Sequence, residues 1–149
     1  MLFRSMKYGE VRDKFGIIYL KVKHHKYLYR LVKTYRVKVD LKGKYNVTSP
    51  FISLDRTGML TIRAGYAWDG PSGPAINTDS FMRASLVHDA LYQLMRMRLI
   101  PWERERIMAD KQMRVHCVED GMWRIRAWWA YHGVRFGGQS SATPADGQL

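Results

Sequence analysis

Hydrophobic and polar residues alternate with a period near two through the first part of this chain. Tyr35-Arg36-Val37-Lys38-Val39-Asp40-Leu41 carries Arg, Lys and Asp on one side and Val on the other, as a half-buried strand requires. Phe15–Val22 ends in the same alternation, and residues 27–32, Tyr-Leu-Tyr-Arg-Leu-Val, are β-branched and aromatic. Leu41-Lys42-Gly43-Lys44 reads as a turn, as does Asp55-Arg56-Thr57-Gly58 between Phe51-Ile52-Ser53-Leu54 and Met59-Leu60-Thr61-Ile62. These segments predict a small antiparallel sheet.

After Pro74 the period lengthens to that of a helix. Asp79 or Ser80 can cap a helix running to about Leu99, with Phe81, Ala84, Val87, Leu91 and Met95 on one stripe. Pro101 stands where a second helix begins, Glu103 and Glu105 suit its first turn, and it carries Asp110 and ends near Gly121. A third helix is expected from Met122 to about Phe136, burying Trp123, Ala127, Ala130 and Val134. Trp123, Trp128 and Trp129 cannot all share one stripe, so some face a membrane or a partner. The predicted class is α+β: an antiparallel β-rich region over residues 1–64, a loop and three-helix core over 65–137, and a flexible Gly/Ser/Pro/Ala-rich tail over 138–149.

Composition sharpens this picture. The chain has 149 residues, 46% hydrophobic and 13% aromatic, enough for a packed core and against disorder over most of its length. Its single cysteine, Cys117, excludes an intramolecular disulfide and predicts a reducing compartment. The opening MLFRSMKYGE has no apolar signal core, and no run approaches membrane-spanning length; a soluble protein made in the cytoplasm is expected. The net charge of +12 is uneven: residues 1–60 hold 14 Lys/Arg against 4 Asp/Glu, and the remainder 11 against 9. Such a basic half suits an anionic membrane surface, an acidic partner or nucleic acid, or is a solvated sheet face.

Candidate chemistry lies in three segments. The loop Gly65-Tyr66-Ala67-Trp68-Asp69-Gly70-Pro71-Ser72-Gly73-Pro74 offers backbone carbonyls and amides. His88-Asp89-Ala90-Leu91-Tyr92 puts His88 and Tyr92 on one helix face, with Asp89 about 100° away. Asp89 is then a hard oxygen ligand for Ca²⁺, the loop backbone supplies further oxygens, and the Gly70 amide can meet an oxyanion. Asp110, after Ala109, is the candidate that fixes the His88 tautomer, and Tyr92 can hydrogen-bond it.

These residues, with Asp79 and Ala84 (Gly65-Tyr66, Gly70-Pro71-Ser72-Gly73, Asp79, Ala84, His88-Asp89, Tyr92 and Ala109-Asp110), resemble the phospholipase A2 pattern of calcium loop, HDxxY helix and downstream Asp. The likeness is greatest to the phospholipase A2 domain of parvovirus minor capsid proteins. Residues 127–137 resemble the last helix of bacterial and fungal members, and the chain as a whole is similar to a family common in phages and prophages. The resemblance covers roughly residues 65–137. It implies a phospholipase A2-like helical core, with His88 activating water, Asp89 binding Ca²⁺ and Asp110 orienting His88. The carbonyls of Trp68, Gly70 and either Ser72 or Gly73 would complete the metal site; the loop has one residue more than is usual between its second and third ligands. The implied substrate is a phospholipid acyl ester.

Other readings stay open. The chain can be a non-enzymatic virion, tail or assembly protein with a relic site, or a nucleic-acid binder using its basic strands and tyrosines. His24-His25 with His88 and Asp89 can form a transition-metal site, although solvated histidines are commoner in a Lys-rich connection. Ser72 lacks the G-x-S-x-G elbow of a nucleophile, and Cys117 reads as an idle buried thiol.

Overall fold

The computed structural model describes residues 9–22, 29–69 and 79–144. The class is α+β, with antiparallel strands first and helices after them. Two four-stranded sheets form where one was expected. The first is β1 (Glu10–Arg12), β2 (Ile18–Lys21), β3 (Tyr29–Leu31) and β8 (Ala67–Trp68), in the order β1-β2-β3-β8. The second is β4 (Tyr35–Lys38), β7 (Met59–Ile62), β6 (Ile52–Leu54) and β5 (Val47–Thr48), in the order β4-β7-β6-β5.

The second sheet is held in register by the turn between β6 and β7. Asp55 Oδ1 accepts from the Thr57 amide at 2.8 Å and the Met59 amide at 3.1 Å, and Gly58 takes φ 82°. A Cβ at Gly58 would sit 2.8 Å from the Val39 carbonyl oxygen, so the residue is fixed by both conformation and space. With that turn in place β7 pairs with β4, and Leu54, Leu60 and Ile62 all point into the core.

The helices are α1 (Asp79–Arg96), α2 (Trp102–Glu119), α3 (Arg124–Gly137) and α4 (Gln139–Ala142). The expected stripe of α1, Phe81, Ala84, Val87, Leu91 and Met95, is buried, but so are Leu86, Ala90 and Leu94 on its other sides. A helix with buried apolar residues on more than one side is packed between layers. Here one flank of α1 shares a cluster with Leu31, Ile52, Leu54 and Trp68 of the sheets. The other packs Phe81 and Ala84 against Met113, Cys117 and Ala127 of α2 and α3. Arg83 clamps α1 to the end of α2, donating to both oxygens of Asp120 at 2.9 and 2.7 Å.

On α3 the structure corrects one expectation. Ala127 is fully buried and Ala130 and Val134 pack beside it, but Trp123 is 80% exposed. Trp123 is extended (φ −61°, ψ 139°) and precedes the first helical turn, so the helical wheel does not govern it. Beyond Gly138, in the stretch expected to be a flexible tail, α4 forms and buries Ala142. No described helix is long and apolar enough to cross a membrane, and Cys117 is a buried free thiol pushed up to about 12 by its burial.

One buried group ties stability to pH. His116 is 2% exposed; its Nε2 accepts from the Gln112 amide at 3.1 Å, and its Nδ1 has no partner among the described residues. Burial, aided by the charge of Arg83, pulls its pKa down to about 4. The unfolded chain therefore binds a proton that the folded one refuses, and stability falls as pH drops from about 6.5 towards 4. Urea denaturation between pH 7 and pH 4 should show a loss larger by about 2–3 kcal/mol in the wild type than in His116→Leu; equal losses in the two proteins would contradict it.

Candidate functional site

The site is built on a buried carboxylate. Asp110 stands on the inner face of α2 and is 0% exposed, an arrangement that is costly unless every lone pair is used. Three side chains use them. His88 Nε2 lies 2.8 Å from Oδ1, the Tyr92 hydroxyl donates to the same oxygen at 2.6 Å, and Arg135 Nη1 donates to Oδ2 at 2.8 Å. Burial alone would raise the Asp110 pKa, but the bonds from His88, Tyr92 and Arg135, with the charge of His88 when protonated, hold it below the usual carboxylate range.

An ionised Asp110 settles the state of His88. A carboxylate only accepts, so Nε2 carries the ring proton, and in the neutral imidazole Nδ1 holds the free lone pair. Nδ1 lies on the opposite side of the ring, 3.8 Å from Asp89 Oδ1. Burial would lower the His88 pKa; hydrogen bonding to Asp110 and the two neighbouring carboxylates outweigh it and raise it. Tyr92, four residues on, stacks beside the imidazole with centroids 4.0 Å apart, and its own pKa is raised by burial and by Asp110. It is therefore a neutral donor at every physiological pH.

Two arginines that sequence reasoning did not single out complete the network. Arg106, one turn before Asp110, donates from Nε to the Tyr92 hydroxyl at 3.2 Å. Its Nη2 binds the carbonyls of Val134 and Arg135 at 2.7 Å each, near the negative end of α3. Arg135 reaches back to Asp110 from that same turn. The signal lay in α2: Glu105, Arg106, Asp110 and His116 interrupt a stripe otherwise filled by Ala109, Met113 and Cys117, and charges on a buried stripe demand partners. Gly138 completes the seat, since a Cβ there would lie 2.9 Å from the Tyr92 hydroxyl.

His88 and Asp89 both line a cavity of about 580 Å³. Phe81, Met113, Met122, Ala130 and Val134 make one wall apolar; Trp68 and Asp69 lie on its β8 side, and Arg96 and Arg126 add positive charge. Trp68 is buried, and its indole N–H donates to Ser85 Oγ at 3.2 Å, which pins β8 to α1 one turn before His88. Thus His88, Tyr92 and Asp110 form one hydrogen-bonded unit, with Asp89 and Trp68 on the adjoining cavity wall. Gly70, Ser72 and Gly73, expected to supply the oxyanion amide and loop carbonyls, lie outside the described residues, as do His24 and His25.

No group of three or more His, Cys, Asp or Glu side chains gathers around a metal position among the described residues. The acidic donors on the cavity are the carboxylates of Asp89 and Asp69. That is hard oxygen chemistry and fits Ca²⁺ better than a thiophilic metal, provided that backbone oxygens complete the shell.

Comparisons of the chain with protein-family models, with curated proteins and with solved structures return no match.

If Asp110 is the hub, its loss must cost more than that of any one donor. Asp110→Asn should destabilise by about 3 kcal/mol, because Arg135 and His88 lose a buried anion, and Tyr92→Phe by about 1 kcal/mol. Chemical denaturation measures both; an Asp110→Asn protein as stable as wild type would mean the network does not form.

Proposed function

We propose that this chain is a calcium-dependent ester hydrolase resembling phospholipase A2, in which His88 activates water to attack a phospholipid acyl ester. The observation that carries the reading is the pairing of His88 with buried Asp110 through Nε2, which leaves Nδ1, 3.8 Å from Asp89 Oδ1, as the basic nitrogen of a residue that lines the cavity. A base at a cavity with its other nitrogen fixed by a carboxylate is the arrangement that water activation needs.

The chemistry balances around that nitrogen. His88 Nδ1 removes a proton from water as the water oxygen bonds to the acyl carbon. The imidazolium so formed is stabilised by Asp110, which stays ionised because Tyr92 and Arg135 donate to it. The same proton then passes to the leaving glyceryl oxygen as the ester C–O bond breaks, giving a fatty acid and a lysophospholipid. The amide of Gly70 is the proposed donor to the oxyanion. Calcium, when bound by Asp89 with the carbonyls of Trp68, Gly70 and Ser72 or Gly73, supplies Lewis-acid polarisation of the ester carbonyl. The apolar wall from Phe81 to Val134 takes the acyl chain.

The implied partner is an anionic phospholipid surface, in keeping with the net charge of +12. The likeness to phage and prophage proteins suggests synthesis in a host cytoplasm and carriage in a virion.

Acyl release from mixed phosphatidylglycerol and phosphatidylcholine vesicles tests the proposal. Wild type should release fatty acid with Ca²⁺ and not with EGTA. His88→Gln, which keeps a donor near Asp110, should lower the rate by roughly a thousandfold. Asp89→Asn should abolish the response to Ca²⁺ while leaving the melting temperature unchanged, since its side chain is 36% exposed. Folded wild type that releases nothing with Ca²⁺ would reject the hydrolase and favour a structural role.

A further inference from the structure

Helix α3 is attached to the protein by very little of its surface. Ala127 is its one fully buried residue, with Ala130 and Val134 packed beside it. The opposite side carries the bulk. Ile125, Trp129, His132 and Phe136 follow one another at i, i+4, i+7 and i+11, so they stand in one row along the helix. Ile125 and Trp129 are each 67% exposed and Phe136 is 92% exposed, with Trp123 and Trp128 beside the row. Packing against α2 explains Ala127; nothing in the fold of the described chain explains the outer row.

The charge on this surface has one sign. Residues 121–138 contain Arg124, Arg126 and Arg135 and no Asp or Glu. Arg135 is spent on Asp110, whereas Arg124 and Arg126 form no ion pair among the described residues. Bulky aromatic and aliphatic side chains flanked by arginines, on a convex helix free of acidic residues, suit the headgroup boundary of an anionic bilayer. The face also adjoins the cavity: Trp129, Gly133 and Gly137 line it. A lipid meeting this face would lie beside the cavity that His88 and Asp89 line.

We propose that the exposed Ile125–Trp129–Phe136 row of α3, with Arg124 and Arg126, is a docking surface for an anionic phospholipid bilayer and presents the cavity mouth to the lipid. This deepens the lipid-hydrolase reading and rests on it for its purpose. It also places membrane attachment on α3, away from the basic N-terminal half. Trp129 is the anchor that touches both lipid and cavity; Ile125 and Phe136 set the helix parallel to the surface.

The test uses the full chain and two vesicle compositions, in EGTA so that no lipid turns over. Wild type should co-sediment with phosphatidylglycerol vesicles more than with phosphatidylcholine vesicles, and brominated phosphatidylglycerol should quench its tryptophan fluorescence. Ile125→Ser/Phe136→Ser, altering two exposed side chains outside the cavity, should keep its melting temperature but bind phosphatidylglycerol vesicles at least about tenfold more weakly. With Ca²⁺, the double variant should hydrolyse a monomeric short-chain phospholipid as wild type does and lose rate only on vesicles. If the wild type hydrolyses nothing yet binding still depends on Ile125 and Phe136, docking stands and the hydrolase reading falls. Equal vesicle binding by variant and wild type, or none by wild type, would overturn the proposal. So would a dimer seen by light scattering that the double substitution dissolves in a protein that ignores vesicles.

Discussion

The burial of one carboxylate constrains the rest of the helical half. Asp110 is fully enclosed, so it must collect donors, and they come from the two neighbouring helices: His88 and Tyr92 from α1 and Arg135 from α3, with Arg106 of α2 bonded to Tyr92 behind them. Each helix is therefore placed by polar geometry as well as by apolar packing. A shift of α3 by one residue would withdraw Arg135 and leave a buried negative charge without its cationic partner. At Gly138 a Cβ would lie 2.6 Å from the Val134 carbonyl oxygen and 2.9 Å from the Tyr92 hydroxyl, so the chain has no room there for a side chain.

This arrangement divides labour between polar and apolar groups. The network fixes the His88 ring from behind, through Nε2, while Phe81, Met113 and Met122 give the adjoining cavity one apolar wall. The two demands meet on α1, which is buried against the sheets on one flank and against α2 and α3 on the other. β8 contributes at the point of contact: Trp68 bonds Ser85 and carries the chain to Asp69 at the cavity wall. The strand-rich half thus sets where Asp69 meets the cavity.

Much of this was legible in the sequence. The i, i+4 spacing of His88 and Tyr92 put both on one face, and Asp110 fell in a second helix whose start Pro101 marked; the structure brings all three within hydrogen-bond distance. β4, β6 and β7 followed from alternation and from the Asp55–Gly58 turn. The division into two sheets did not, because β5 and β8 are two residues each, too short to show a period. Arg106 and Arg135 escaped notice because arginine is usually solvated, and only the three-dimensional path of α3 gives each a buried partner. Trp123 was misplaced because the third helix was expected from Met122, two residues before its start at Arg124. The exposed row of α3 was foreshadowed by three tryptophans that could not share one stripe, although which of them faced outward depended on packing.

Long-range ¹⁵N–¹H NMR of the His88 imidazole at alkaline pH, in wild type and in Asp110→Asn, reads the His88–Asp110 bond itself. The wild-type ring should be neutral with its proton on Nε2, strongly deshielded by the Asp110 carboxylate, and with Nδ1 unprotonated. That proton signal should move upfield in the variant. A ring protonated on Nδ1, or an Nε2 proton indifferent to Asp110, would contradict the claim that a buried carboxylate holds His88 as a base facing the cavity.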